Sequence, residues 1–358
     1  MSQGTALRPF LRQIMEPSSA LDPEQRSSFT RDQARDLLTL ILAGEATEIE
    51  IAGLLGALAA RGETPEELAG FVDAMRSVAT TLPLSDAERG RLTDTCGTGG
   101  DASGTFNIST AAALVAAAAS PKIMVAKHGN RAVTSVSGSG DVLEALGIPI
   151  NLSPAAAAEA LRTHRFAYLH APSLHPAMKA VMPVRRALGV RTVFNLLGPL
   201  TNPAGARTQV MGVYAADRVR PIAETMLLLD TRHALVVHGA DEAGRGLDEI
   251  SISGPTQIAE VHNGRITLQT VTPEMFGLTR APLSALRGGD GRANAAILRA
   301  IFAGEHGPCR DIVLLNAAAV LLVADCATDL GSGIELARQA IDGGAVTRLL
   351  GDLAAGHE

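Results

Sequence analysis

The stretch Asp94-Thr95-Cys96-Gly97-Thr98-Gly99-Gly100-Asp101-Ala102-Ser103-Gly104-Thr105-Phe106-Asn107-Ile108-Ser109-Thr110 runs directly into an alanine-rich segment ending at Ala119, and the short apolar segment Lys122 to Ala126 follows. Read together, these are a loop, a helix and a strand. Four glycines before a helix let the backbone approach a ligand, and the free N–H groups of the first helical turn favour an anion. A tight turn closed by an Asn or Ser cap fits the same residues. The loop is not a Walker A motif, because the chain has no Gly-Lys pair, and it is not a GxGxxG dinucleotide fingerprint.

Downstream, the grammar of alternating strand and helix continues with a helix at Asp141 to Leu146 and strand candidates at Gln209 to Tyr214 and Ala234 to Val237. Such alternation predicts a parallel sheet covered by helices. Asn263-Gly264 between the alternating runs of Thr256 to Val271 predicts a hairpin. Apolar helices return at Asn294 to Ala303 and Asp311 to Ala324. Upstream, Ser28 to Gln33 gives a helix start, with Ala34, Leu37, Leu38, Ile41 and Leu42 at helical spacing. Ile49 to Arg61 is a second helical pattern and Pro65 to Ala79 a third, with Thr64 as its N-cap and Pro65 at its first position. These three form a small all-helical unit. Residues 1 to 28, with mixed charge and weak periodicity, are expected to be a flexible extension.

The 358 residues are 46% hydrophobic, enough for a large core, and the lack of Trp makes that core aliphatic. A formal net charge of -6 argues against nucleic acid or an anionic membrane as partner, since both call for a basic surface. Small molecules are the expected partners. Cys96, Cys309 and Cys326 are few and lack CxxC spacing, which points to a reduced cytosolic setting rather than disulfides or zinc. The first residues lack a signal-peptide pattern, and the apolar run Ala111 to Ala119 is too short to span a membrane. A cytoplasmic protein is expected.

Three more segments carry chemistry. Lys127-His128-Gly129-Asn130-Arg131-Ala132-Val133-Thr134-Ser135, followed by Ser137-Gly138-Ser139-Gly140-Asp141, offers two cations, hydroxyls and backbone donors in one loop. Two strand-loop-helix anion sites atop one sheet match a phosphorylated sugar that also carries a diphosphate. Gly246-Leu247-Asp248-Glu249-Ile250-Ser251 sets adjacent carboxylates on extended chain, suited to hard cations or, more plainly, to a solvated turn. His175 to Lys179, and then Arg185 through Pro203, mix cations with an apolar helix. An arginine there could pair bidentately with a carboxylate, or simply lie on the surface.

GTGGD, FNIST, KHGNRAV, SGSGD, RTVFNLLGPLTNP and GLDEIS, in this order from about Thr30 to Gly351, resemble the anthranilate phosphoribosyltransferase family. The resemblance implies an α/β protein of the nucleoside phosphorylase and phosphoribosyltransferase type: a small helical domain over 29–92, joined by helices from about 176–203, and a larger domain over 93–175 and 204–358 with a mixed, mainly parallel sheet. It implies a phosphoribosyl diphosphate site at Gly97, Gly100, Asp101, Thr105, Asn107, Ile108, Ser109, Thr110, the loop Lys127 through Ser135, and Ser139. It places anthranilate at Asn130 and Arg185, near Gly97, His128, His175 and Gly198. Magnesium, two ions in all, would bind Ser109, Asp248 and Glu249, and no side chain would act as nucleophile or general base. A homodimer through the helical part is implied. Pyrimidine nucleoside phosphorylase shares the fold but should lack the GLDEIS and FNLLGPLTNP segments, and a non-catalytic nucleic-acid-binding relative should show a basic face. The loop Gly97 to Asp101 is also expected to lie where the helical and α/β domains join, and to act as a hinge.

Overall fold

The structure, a computed structural model, describes residues 6–16, 28–132 and 136–355. Its centre is one sheet of eight strands: β1 (Leu92–Gly97), β2 (Met124–Gly129), β3 (Phe166–His170), β4 (Thr208–Gly212), β5 (His233–Ala240), β6 (Gly246–Leu247), β7 (Thr256–His262) and β8 (Arg265–Val271). The order is β3-β2-β1-β4-β5-β7-β8, with β6 paired to β5. β1 to β5 pair in parallel, while β7 and β8 add an antiparallel edge. The edge is the expected hairpin, with Asn263 and Gly264 both in the left-handed region its turn requires. The sheet is therefore mixed and mainly parallel.

Each face of the parallel part of the sheet is buried, while the edge strand β8 is largely exposed. Leu235 and Val237 of β5 point to a core shared with the Ile108–Ala119 and Pro308–Val323 helices, and Ala234 and Val236 point to the opposite one. That second core holds the helices Arg31–Leu42, Glu48–Arg61 and Pro65–Ser77, together with Val184 and Phe194 from the helices Met182–Leu188 and Val193–Leu200. The helices Arg31–Leu42, Glu48–Arg61 and Pro65–Ser77 each open with a capping box: Thr30 with Gln33, Thr47 with Glu50, and Thr64 with Glu67. Glu67 is buried because its carboxylate also accepts from Phe29 N–H at 2.8 Å and pairs with Arg61. Arg31–Leu42 and Pro65–Ser77 cross at Gly70, where a Cβ would lie 2.1 Å from the Arg31 carbonyl.

Two expectations change. Part of the extension is structured: Arg8–Met15 is a helix, and Leu7 and Ile14 join the second core, since a short apolar stripe was enough to dock it on Glu48–Arg61. The segment at Asp94 is a central strand rather than loop. It escapes a hydrophobicity pattern because its buried positions are polar and internally bonded: the Thr93 and Thr208 hydroxyls meet at 2.7 Å, and Asp94 accepts from Asn202 Nδ2 at 2.8 Å.

Candidate active site

β2 lies on one side of β1 and β4 on the other, so the chain leaves β1 and β4 in opposite directions. The gap at their carboxyl ends is a topological switch point, where open α/β sheets bind ligands. Gly97 ends β1 and Gly212 ends β4, paired with each other, and Asp248 fills the space that their missing side chains leave. A Cβ on Gly212 would sit 1.6 Å from the Asp248 carbonyl oxygen, and one on Gly97 2.2 Å from Asp248 Oδ2. Both glycines are demanded by this close approach and not by their dihedral angles.

The glycine loop closes over the same carboxylates. Gly99 N–H donates to Asp248 Oδ2 at 2.8 Å, and Asp248 N–H to Asp101 Oδ2 at 3.3 Å. Ser109 N–H, in the first turn of the alanine-rich helix, donates to Glu249 Oε1 at 3.0 Å. Asn107 makes no cap; its side-chain oxygen accepts instead from Asn294 Nδ2 at 2.8 Å. Burial, then Asp101 and Glu249, push the Asp248 carboxyl well above its usual range, and burial raises Glu249 to about 7 against the opposing pull of Lys127. Adjacent acids under such strain mark a place built for positive charge. Lys127, itself buried, reaches in from β2, with Nζ 2.6 Å from the Thr95 carbonyl and 3.4 Å from Ser109 Oγ.

A second group lies beside it. His128 Nδ1 is 3.0 Å from the Gly198 carbonyl, so Nδ1 carries the proton, and burial holds the imidazole neutral with its pKa down to about 3. Its other nitrogen is buried without a partner, 5.1 Å separating its ring from that of His175. Arg185 rests over Phe194 at 5.3 Å with no carboxylate of the described residues against it, and burial lowers its pKa.

The structure thus brings Gly97, Gly100, Asp101, Ser109, Lys127, Asp248 and Glu249 together, and places His128, His175 and Gly198 together beside them. Other expected contacts are otherwise engaged. Arg131 pairs with Glu144 at 2.7 Å, and Ser139 Oγ lies 3.1 Å from the Tyr168 hydroxyl. Asn130 Oδ1 accepts from Arg131 N–H, and Ala132 N–H donates to Asp141. Gly129 is tight against Ser139 and Tyr168. Thr105 bridges to Arg287, while Ile108 and Thr110 are buried in the helix and can offer only backbone or an enclosed hydroxyl. Val133, Thr134 and Ser135 lie outside the described residues.

Sequence reading missed the supports. Asp94 holds the His128 N–H, Asn202 clamps Asp94 and the Ala126 carbonyl, and Asn316 brackets Ile250 by two bonds of 2.9 Å, fixing the chain just past Glu249. The chain passes from the first helices into β1 through residues 78–91, at the opposite end of that strand from Gly97 to Asp101, but enters the helices Met182–Leu188 and Val193–Leu200 from the carboxyl end of β3, the same end as the loop. The loop meets the helical side through Arg191, whose guanidinium donates to the Gly100 carbonyl at 3.3 Å and lies over the Tyr214 ring.

Residues 89–347 match the model of the glycosyl transferase family a/b domain, and residues 24–79 that of the same family's helical bundle domain. The chain is 50% identical over 321 residues to anthranilate phosphoribosyltransferase of Brevibacillus brevis, covering 90% of this chain and 92% of that one. Anthranilate phosphoribosyltransferase from Thermus thermophilus superposes with a TM-score of 0.86 at 41% identity, covering 97% of this chain and 98% of the other. The Saccharomyces cerevisiae enzyme, solved with PRPP and Mg, superposes at 0.83 with 26% identity, covering 98% of both chains.

Proposed function

The chain belongs to the anthranilate phosphoribosyltransferase family and is a pentosyltransferase of tryptophan biosynthesis, and from that premise we propose how its residues divide the work. The reaction joins the amine of anthranilate to C1 of the ribose of phosphoribosyl diphosphate (PRPP) and releases diphosphate. Neither nucleoside phosphorolysis nor nucleic-acid binding finds support in the similarities.

The glycine loop Gly97 to Asp101, the start of the Ile108–Ala119 helix and Lys127 receive the diphosphate and ribose of PRPP, with Thr105, Asn107, Ser139 and the loop Gly129 to Ser135 completing that site. Backbone N–H groups and one buried ammonium are the donors such an anion needs. Asp248, Glu249 and the Ser109 hydroxyl form an all-oxygen donor set, and two carboxyls raised by burial and by the neighbouring Asp101 fit magnesium. We propose two ions there. When bound, magnesium offsets the charge that develops on the departing diphosphate. His128, His175, Gly198, Asn130 and Arg185 line the anthranilate end, where the Arg185 guanidinium, without an acid partner among the described residues, meets the substrate carboxylate. The amine attacks as the neutral base, so the bond to C1 forms without a general base, and its proton leaves afterwards.

The protein is further proposed to be a cytoplasmic homodimer through its helical part, where Ile49 is 85% exposed. No helix among the described residues is long and apolar enough to cross a membrane. The observation that carries the site assignment is the Asp248 wedge between Gly97 and Gly212 under the glycine loop. Asp248→Ala tests it: the loss of anthranilate fluorescence in the presence of PRPP and Mg²⁺ should slow and lose its magnesium response. Unchanged rate and response would refute the assignment.

A further inference from the structure

The far end of β5 carries a cluster that the reaction does not use. His233 opens the strand and His262 closes β7, directly opposite it in the antiparallel register, so both rings stand on the same sheet face. They stack at 4.0 Å with 10° between planes. Gly212, against which Asp248 packs, pairs with Val237, four residues past His233, so at about 3.3 Å per residue the cluster lies roughly 13 Å along the strand from the carboxyl-end site.

Glu260 Oε1 lies 2.8 Å from His233 Nε2, and a carboxylate can only accept, so Nε2 carries the proton. His233 Nδ1 is buried and has no hydrogen-bond partner among the described residues, and in the neutral Nε2–H tautomer it carries a lone pair. Facing it at 3.6 Å is Asp325 Oδ1, from the turn after the Pro308–Val323 helix. The other Asp325 oxygen is 3.5 Å from Arg232, which orients the carboxylate with its free oxygen toward the imidazole. In the neutral tautomer two lone pairs confront each other across this 3.6 Å gap, the arrangement a shared cation would relieve. Ligands of a tetrahedral zinc ion, at about 2.0–2.1 Å from the metal, stand roughly 3.4 Å apart, close to the separation seen. The ligand atoms of His233, His262 and Asp325 all lie within 4.8 Å of one another, and His262 is half-buried.

We propose that His233, His262 and Asp325 bind a divalent transition-metal ion of the zinc class, with Glu260 as the outer carboxylate that fixes the His233 tautomer. Two imidazoles and one carboxylate select zinc over magnesium, which prefers oxygen. The ion would fasten the turn at Asp325 to the lower rim of the sheet. This site is independent of the PRPP and anthranilate assignment.

The test uses the full chain, stripped with a chelator and kept in excess Mg²⁺ so that the carboxyl-end oxygens are occupied. Zinc is then titrated by calorimetry, with nitrogen-15 NMR of the histidine rings in parallel. Wild type should bind one zinc equivalent that His262→Ala and Asp325→Asn both lose, while each variant keeps its Mg²⁺-supported transferase rate. His233 Nδ1 should shift on zinc addition while Nε2 keeps its proton. Equal zinc binding in wild type and both variants would overturn the proposal. So would a His233 protonated at both nitrogens in excess zinc, because the cluster would then be a plain imidazolium bridge between Glu260 and Asp325.

Discussion

Replacing Gly97 by alanine puts a methyl group 2.2 Å from Asp248 Oδ2 and 2.7 Å from its Cγ. Ordinary contact begins near about 3.5 Å, so the carboxylate must withdraw by about 1.3 Å. The backbone itself tolerates the change, since Gly97 is not in the left-handed region, and the obstacle is the end of a side chain. Withdrawal breaks the 2.8 Å bond from Gly99 N–H and moves the proposed metal ligand. A displacement of this size near the reacting atoms costs on the order of 100-fold in rate, equivalent to about 2.7 kcal/mol of transition-state stabilisation. Gly212→Ala is the control, because its methyl would meet the Asp248 carbonyl at 1.6 Å, a backbone atom that cannot turn aside. It should lower stability by more than about 4 kcal/mol. Anthranilate fluorescence followed across a Mg²⁺ titration, beside thermal melts, separates the two. Gly97→Ala should melt within a few degrees of wild type, turn over about 100-fold more slowly and need more magnesium. A Gly97→Ala enzyme with the wild-type rate and metal response, or one that unfolds as readily as Gly212→Ala, would refute the reasoning.

Arg185→Ala removes a charge-assisted contact worth about 1.5–3 kcal/mol, so the KM for anthranilate should rise roughly 10- to 100-fold while that for PRPP moves little; equal losses would exclude the carboxylate role. Asn316→Ala deletes both amide bonds to Ile250 and should cost about 2–3 kcal/mol of stability, read by denaturant melts, together with a weaker magnesium response. Asp94 supplies a pH test. Burial raises its folded pKa from the ordinary 3.8 to about 6, so the folded state holds a proton that the unfolded chain has lost, and stability falls as pH rises between those values. The decline, about 3 kcal/mol from this group, should be missing in Asp94→Asn melts, which would instead show a constant cost for the amide facing Asn202; an unchanged slope would place the titration elsewhere.

Elements with strong local signals were legible. The Thr64 cap with Pro65, the Asn263-Gly264 turn and the alanine-rich helix after the glycine loop all reappear where the residues placed them. β1 was not legible, because a central strand carrying Thr93, Asp94 and Thr95 is stable only once Thr208 and Asn202 arrive from more than a hundred residues away. β3, five residues long, gave no periodicity of its own. At the site, the same distinction holds. The glycine and acidic motifs stood out by composition, whereas Asn202 and Asn316 act through backbone atoms remote in sequence, and single amides in apolar stretches carry no local mark.

The second core is completed from two distant stretches of chain, helices at residues 31–77 and the pair that includes Phe194. On the ribosome, the first stretch emerges well before its partner exists. Synthesis at about 5–20 residues per second leaves its apolar stripe uncovered for roughly 6 to 23 s. Nascent chains arrested before Phe194 should therefore be held by chaperones or aggregate, and those arrested beyond Val261, after β7 has closed that face, should resist protease.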